Sequence, residues 1–183
     1  MTTTTATTNG TILYHTVIDS PVGPLKLIAS AKGLRAVLWM RDGDAGMSIG
    51  GIDGVDGGDH DPNGVLDAAA TQLQEYFAGT RTQFDVPLDT VGTGFQRTAW
   101  DALGTIPFGE TVSYGEQARR MGDARKARAV GAANGRNPVS IIVPCHRVVG
   151  ADGSLTGFGG GLEAKAWLLD HERRVWTAQN ATA

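Results

Sequence analysis

Cysteine is almost absent from this chain: Cys145 is the single one in 183 residues. An internal disulfide framework is therefore excluded. With four histidines (His15, His60, His146, His171) no Cys/His cluster stands at zinc-ligand spacing, so no metal and no cofactor is expected. A lone thiol suits a reducing compartment, and a cytoplasmic protein is expected. Long apolar runs are missing too, which argues against a membrane span, and the Thr-rich residues 1–11 lack both the basic and the apolar region of a secretory signal. They read as an unprocessed, disordered tail.

A strong charge of one sign is also lacking, since the formal net charge is −3. The balance conceals an asymmetry. Residues 1–96 carry 5 Lys+Arg against 11 Asp+Glu, whereas residues 97–183 carry 11 against 8. Within residues 113–147 the count is 7 against 2, a local excess of +5. Such a patch on an acidic protein is the footprint to look for with a nucleic-acid partner, while charge alone favours a solvated charged surface.

Glycine is plentiful, with 26 residues, and forecasts many turns. Residues 12–18, 24–30 and 34–40 alternate in the manner of strands joined by short turns, which predicts an antiparallel meander. Residues 41–64 hold eight glycines and six aspartates with little to bury, and read as a flexible loop; the Asp spacing fits no EF-hand. Helical spacing follows at Val65, Leu66, Ala69, Ala70, Leu73, Tyr76 and Phe77, stopped by Gly79. Residues 82–88 read as extended, and a domain boundary is expected near residues 89–92.

The second half is a series of helices with clear start signals. Thr93 with Gln96 makes a capping-box pattern, opening a helix with Phe95, Ala99, Trp100 and Leu103 on one face. Ser113 with Glu116 repeats the pattern for a helix over residues 114–121. Asp123 then caps another over residues 124–133. Two short helices about a Gly-containing turn predict a helix-turn-helix. The second of them is basic and small-residued, suited to close approach to a nucleic-acid backbone or to tight packing of two helices. A Gly-rich loop, Thr156-Gly-Phe-Gly-Gly-Gly161, lacks the strand-to-helix context of a dinucleotide site. A last helix follows, with Leu162, Ala166, Trp167 and Leu169 apolar and Glu172 near its C-terminal end.

One stretch draws the rest together: Asn137-Pro-Val-Ser-Ile-Ile-Val-Pro-Cys-His-Arg-Val-Val149. It sets a thiol, an imidazole and a guanidinium between apolar runs. A thiol of ordinary pKa is only a few per cent thiolate at neutral pH, so a nucleophile here needs a base or a positive field. His146 and Arg147 are candidates for both. Pro144 as a first helical residue would set the thiol at a helix N-terminus. Adjacent residues of a strand point apart, so Cys145 and His146 require a turn at Pro144 or a bridging water. Glu172 or Asp170 on the last helix is a candidate acceptor to orient the imidazole. A small buried core cysteine is the plain alternative.

On these residues the chain resembles the O6-alkylguanine-DNA alkyltransferase family: Val143-Pro-Cys-His-Arg-Val-Val149, preceded by Asn137-Pro138 and a helix-turn-helix. The likeness covers residues 95–172 strongly and residues 12–88 weakly. It implies an α+β protein: an N-terminal α/β domain with a small antiparallel sheet (residues 12–90), then a mainly helical domain with a winged-helix-like helix-turn-helix (residues 91–176) and a tail (residues 177–183). It further implies a single-use repair protein that moves the alkyl group of O6-alkylguanine in duplex DNA onto Cys145, with O4-alkylthymine a second candidate substrate.

By the same resemblance His146 takes the thiol proton through a water and Glu172 orients it, Asn137 holds the turn, and Tyr114 donates toward guanine N3. Val148, Gly159, Phe158 and Arg147 would surround the base. Arg128 would fill the gap left by the flipped nucleotide, with Ala127 and Gly131 lying in the minor groove. A monomer in solution is expected, with cooperative loading on DNA open. Phe158 stands where tyrosine is common, and Ser140 where relatives can have proline. Two competing readings remain: a non-catalytic DNA-binding module, and a cysteine hydrolase using Cys145, His146 and Glu172.

Overall fold

The computed structural model describes residues 7–8, 11–40 and 61–181. The chain divides into two compact units, residues 1–91 and 92–183.

In the first unit, β2 (Thr11–Ile18), β3 (Leu25–Ser30) and β4 (Gly33–Trp39) form the antiparallel meander. The residues that alternate in sequence separate onto two faces. Ile28 pairs with Ala36, and with Leu13 and Leu38 they make one apolar cluster. Leu25, Leu27 and Ala29, all fully buried, occupy the other face of β3. A two-residue strand, β1 (Thr7–Thr8), pairs with the start of β2, so part of the expected N-terminal tail is sheet. The helix α1 (Val65–Phe77) buries Val65, Leu66, Ala69, Leu73 and Tyr76, and packs against β2, β3 and β4. Burying each of Val65, Leu66 and Leu73 is worth about 1.5–3 kcal/mol.

Most of the expected flexible loop, residues 41–60, lies outside the described residues. Its end does not behave as a solvated loop. Asp61 is buried, and its carboxylate accepts from the backbone N–H of Asn63 and of Leu66, both at 3.0 Å, so it caps α1 from three residues ahead of Gly64. Residues 82–88 make no regular strand. They lie along β4 through one parallel bridge, with Leu34 N–H donating to the Pro87 carbonyl at 2.7 Å and Asp89 N–H to Leu34 at 2.9 Å.

The second unit is helical: α2 (Gly94–Leu103), α3 (Tyr114–Arg120), α4 (Ala127–Asn134) and α5 (Leu162–Asn180), with a two-stranded parallel ribbon of β5 (Val112–Ser113) and β6 (Val148–Val149). Thr93 and Gln96 form the full reciprocal capping box at α2. At α3 only half of it is made. Ser113 accepts from Glu116 N–H at 3.1 Å, while the Glu116 carboxylate turns to Arg119 and Arg120. The helix expected over residues 124–133 is a 3-10 turn, Ala124–Lys126, followed by α4, because Asp123 caps the turn at Arg125 N–H. The helix α5 runs on through Asn180, past the expected boundary at residue 176.

The inward face of α5 is polar as well as apolar. Ala164, Lys165, Leu168, His171 and Glu172 are buried, and Leu162 is 49% exposed. The buried face carries an ammonium, an imidazole and a carboxylate, so hydropathy misplaces its phase.

Candidate active site

Cys145 opens a 3-10 turn, Cys145–Arg147, with Pro144 as its N-cap rather than its first residue. The turn sends Cys145 and His146 in different directions without an extended strand. A three-residue turn has almost no macrodipole, so a helix N-terminus does not activate this thiol. Around Cys145 the apolar wall is Trp100, Leu103, Ile106 and Val148, with Val112, Tyr114, Val143 and Phe158 packed on it. Burial pushes the thiol up from its ordinary value; Asn137, Ser140 and Lys165 oppose it without reversing it. The resting group is a neutral thiol.

His146 is fully buried and its Nε2 lies 2.7 Å from Glu172 Oε1. Burial lowers the imidazole pKa, against the hydrogen bond to Glu172, and Arg147 and Lys165 add to the lowering. The ring is neutral, so Nε2 carries the proton it donates to the carboxylate. Nδ1 is then an unprotonated base, and it is buried with no hydrogen-bond partner among the described residues. With Nε2 held by the carboxylate, Nδ1 is the ring atom open to a hydrogen-bond donor.

Glu172 gathers four donors. Besides His146 it accepts from Arg147 Nε at 2.9 Å, Arg147 Nη2 at 3.0 Å and Gly109 N–H at 3.1 Å. Burial alone would raise its pKa; the hydrogen bonds from His146 and Arg147 and their electrostatic pull on the carboxylate outweigh that and bring it down to about 2. The carboxylate stays ionised and fixes the tautomer of His146. Arg147, expected beside the base, is committed elsewhere. Its guanidinium grips Glu172, donates through Nη1 to the Ile106 carbonyl at 2.6 Å and lies over Phe108. Asp170, the other candidate acceptor, pairs with Arg174 on the exposed side of α5.

Asn137 straps the turn before the cysteine: Nδ2 donates to the Val143 carbonyl at 2.8 Å, and Oδ1 accepts from Val139 N–H at 3.1 Å. Tyr114, first residue of α3, donates its hydroxyl to the Thr156 carbonyl at 3.1 Å. Phe158 is half-buried, edge-on to His146 with ring centres 6.4 Å apart, and Gly159 follows it in the glycine loop.

Lys165 is a site residue that the sequence reading missed. It is fully buried, and its Nζ donates to the Val148 carbonyl at 2.6 Å and the Thr156 carbonyl at 2.8 Å. It thereby ties the strand after the cysteine to the glycine loop. A lysine three residues before Leu168 on an otherwise buried face was the one signal available.

The helix pair is locked by a buried amide pair. Gln117 Nε2 donates to Asn134 Oδ1 at 3.1 Å and Asn134 Nδ2 returns to Gln117 Oε1 at 2.7 Å. Lys126, Arg128 and Arg136 are exposed and make no ion pair among the described residues. Gly131 lies against the Tyr114 ring, where an added Cβ would sit 3.6 Å from ring carbons, and Ala127 is half-buried. Among the described residues no group of three or more His, Cys, Asp or Glu could hold a metal.

A buried thiol, a neutral imidazole tied to an ionised carboxylate, and a basic helix-turn-helix in one unit define a cysteine-nucleophile protein built to work on DNA. Two family profiles cover the chain: 6-O-methylguanine DNA methyltransferase, ribonuclease-like domain, over residues 13–90, and the DNA binding domain of the same family over residues 94–174. The chain is 46% identical over 162 residues to the methylated-DNA–protein-cysteine methyltransferase of Mycobacterium tuberculosis, covering 88% of this chain and 93% of that protein. It is 43% identical to the protein of that name from Methanosarcina acetivorans, covering 87% and 98%. The crystal structure of the Mycobacterium tuberculosis O6-methylguanine methyltransferase matches with a TM-score of 0.76 at 47% identity, over 89% of this chain and 94% of that one. That of Mycobacterium tuberculosis OGT in complex with DNA matches with the same TM-score and identity, over 88% and 94%. This chain belongs to the O6-alkylguanine-DNA alkyltransferase family.

Proposed function

We propose that this protein repairs DNA by direct reversal, moving the alkyl group of O6-alkylguanine in duplex DNA onto Cys145 in one irreversible transfer. The observation that carries the reading is the orientation of His146: Nε2 is held by Glu172, and Nδ1 is left buried and unpartnered beside the cysteine's turn.

A water between Sγ and Nδ1 carries the thiol proton to the imidazole, and Glu172 steadies the imidazolium that forms. The thiolate attacks the alkyl carbon, a carbon–sulfur bond forms, and the carbon–O6 bond breaks with its electron pair passing to the base. Tyr114 donates to the base as this charge develops, exchanging its bond to Thr156. Extrusion of the nucleotide costs a few kcal/mol, offset by phosphate contacts from the basic helices and by Arg128 filling the gap. Ala127 and Gly131 allow α4 to lie close to the groove. Val148, Phe158 and Gly159 border the extruded base. The product is a thioether with no route back to thiol, so each molecule acts once. O4-alkylthymine is a second candidate substrate, and loading on DNA as monomers or cooperatively is open to measurement. The single thiol suits a reducing cytoplasm. No helix among the described residues is long and apolar enough to cross a membrane.

Incubation with duplex DNA carrying O6-methylguanine should add one methylene to the protein's mass, located at Cys145. Multiple turnover, or transfer to another residue, would overturn the reading. A DNA-binding module without chemistry would instead bind in a salt-sensitive way and leave the mass unchanged.

A further inference from the structure

Ser140 is a side chain beside the reacting sulfur that the mechanism above does not use. Its hydroxyl lies 3.8 Å from Cys145 Sγ, the one hydrogen-bond partner it has among the described residues. Ser140 is 5% exposed and Cys145 6%, so no bulk water competes for the contact. The backbone that sets this geometry is strained. Ile141, next in the chain, has φ 76, and it is the one non-glycine residue with positive φ among the described residues. A β-branched side chain is rare there and persists only where its surroundings over-determine it. They do so here: Val143 N–H donates to the Val139 carbonyl at 3.0 Å, Ser140 bridges to Val143, and Asn137 straps both limbs. The strained turn holds a hydroxyl against the sulfur.

We propose that the Ser140 hydroxyl is a catalytic hydrogen-bond donor to the Cys145 thiolate. Of the titratable or charged groups on the elements around it, Lys165 of α5 acts on the sulfur, Tyr114 of α3 packs on the same cluster, and His146 and Arg147 of its own turn are bonded to Glu172 of α5; α2 brings Trp100 and Leu103. Against strong burial, Ser140 is one of the groups that lower the thiol pKa. The physiological role rests on the alkyl-transfer reading above, but the thiolate chemistry is separable from it.

A donor to a thiolate has two opposed effects. It increases the fraction of sulfur that is ionised, and it makes each thiolate a weaker nucleophile, with a Brønsted slope of about 0.4–0.5. During transfer the sulfur's electron pair becomes the bond to carbon, the anion disappears, and the hydroxyl loses its charged partner. Removing the hydroxyl should therefore change sign with pH. Ser140→Ala is expected to lower the neutral-pH thiolate fraction about tenfold and to make each thiolate about threefold more reactive. The net rate falls about threefold near neutrality and rises about threefold once both proteins are fully ionised.

The test is the rate of Cys145 alkylation by iodoacetamide across pH, for the wild type, Ser140→Ala and Ser140→Thr, with folding checked by circular dichroism at each pH. The two profiles should cross, and Ser140→Thr, which keeps a hydroxyl, should follow the wild type. Should Ser140→Ala fail to fold, Ser140→Gly removes the same hydroxyl and takes its place. Superimposed profiles in folded proteins would overturn the proposal, as would a Ser140→Thr shift as large as that of Ser140→Ala. Iodoacetamide needs no DNA. A crossing without methyl transfer from O6-methylguanine duplex would overturn the repair reading and leave the Ser140 assignment standing, and transfer without a crossing would do the reverse.

Discussion

His146 Nε2 and Glu172 Oε1 are 2.7 Å apart, and Glu172 also receives two bonds from Arg147 and one from Gly109. One carboxylate thus fixes a tautomer, neutralises a buried guanidinium and anchors a turn. Glu172→Gln should remove the charge while keeping the volume. It leaves Arg147 buried without a counter-ion, a change that costs about 3–5 kcal/mol. It also withdraws support from the imidazolium, and proton-transfer assistance is worth about 10²–10⁴ in rate. Denaturant unfolding and single-turnover methyl transfer should both show the loss. A variant as stable as the wild type with full transfer would refute the role given to this residue.

The same pair sets the acid stability of the protein. Glu172 titrates at about 2 in the fold, against an ordinary value of 4.5. Its pKa is depressed, so its stabilising contribution is present above the unfolded value and is lost as pH falls from about 4.5 toward 2. At ~1.4 kcal/mol per pH unit that contribution is about 3 kcal/mol. His146 acts in the same direction. Its folded pKa lies below the ordinary 6.5, so below that pH the unfolded chain takes up a proton that the folded chain does not, and stability falls. Cys145 works at the other end. Its pKa is raised above the ordinary 9.0, so its contribution is present below that value and is lost as pH rises through the folded one. Urea unfolding of the protein should give a maximum near neutrality with a steeper acid limb; stability that is flat between pH 7 and 3 would contradict these assignments.

Asn134 and Gln117 tie α4 to α3 through two buried side-chain bonds, and Gln117 also donates to the Ala99 carbonyl of α2 at 3.0 Å. Asn134→Ala leaves the Gln117 amide oxygen without its donor, a cost of about 1–3 kcal/mol. The damage falls first on the angle of the helix pair. Affinity for duplex DNA should drop more than tenfold in a folded variant, while iodoacetamide reactivity of Cys145 stays within about twofold. Equal losses in both assays would mean that the pair supports the whole unit rather than the helix geometry.

How much of this was legible beforehand follows from what each residue contributes to packing. The strands, α1 and α2 were readable because their apolar residues recur at strand or helix spacing and their caps are explicit, as at Thr93 and Gln96. Cys145 and His146 stood out as polar groups amid apolar runs. Arg147 did as well, but its burial against Glu172 and Ile106 depends on partners 25 and 41 residues away. Asp61 was hidden in a Gly/Asp stretch whose composition suggests solvent. On α5 the inward face holds Lys165, His171 and Glu172, and hydropathy assigns such residues to water. The face that buries the charged groups is the one that breaks the pattern.

Lys165 is the sharpest case, and it yields the last prediction. Its ammonium is fully buried, bonded to the Val148 and Thr156 carbonyls, and 5.9 Å from the centre of the Tyr114 ring. Desolvation lowers its pKa, partly opposed by the field of Cys145. Lys165→Met fills the same space without donors. The desolvation penalty of the ammonium disappears as the two carbonyls lose their partner, and these effects oppose each other, so net stability should change by only about 1 kcal/mol. Function should change more. The thiolate loses a nearby cation, so the pH midpoint of Cys145 alkylation rises. The glycine loop loses its tie to β6, so amide exchange in residues 156–160 speeds up by about tenfold. Lys165→Arg keeps the charge but overfills the site, at about 1–3 kcal/mol. Mass-detected hydrogen exchange and iodoacetamide titration of Lys165→Met separate the two roles. Unchanged exchange with a raised midpoint leaves an electrostatic role alone, the reverse leaves a tether alone, and no change in either removes Lys165 from the site.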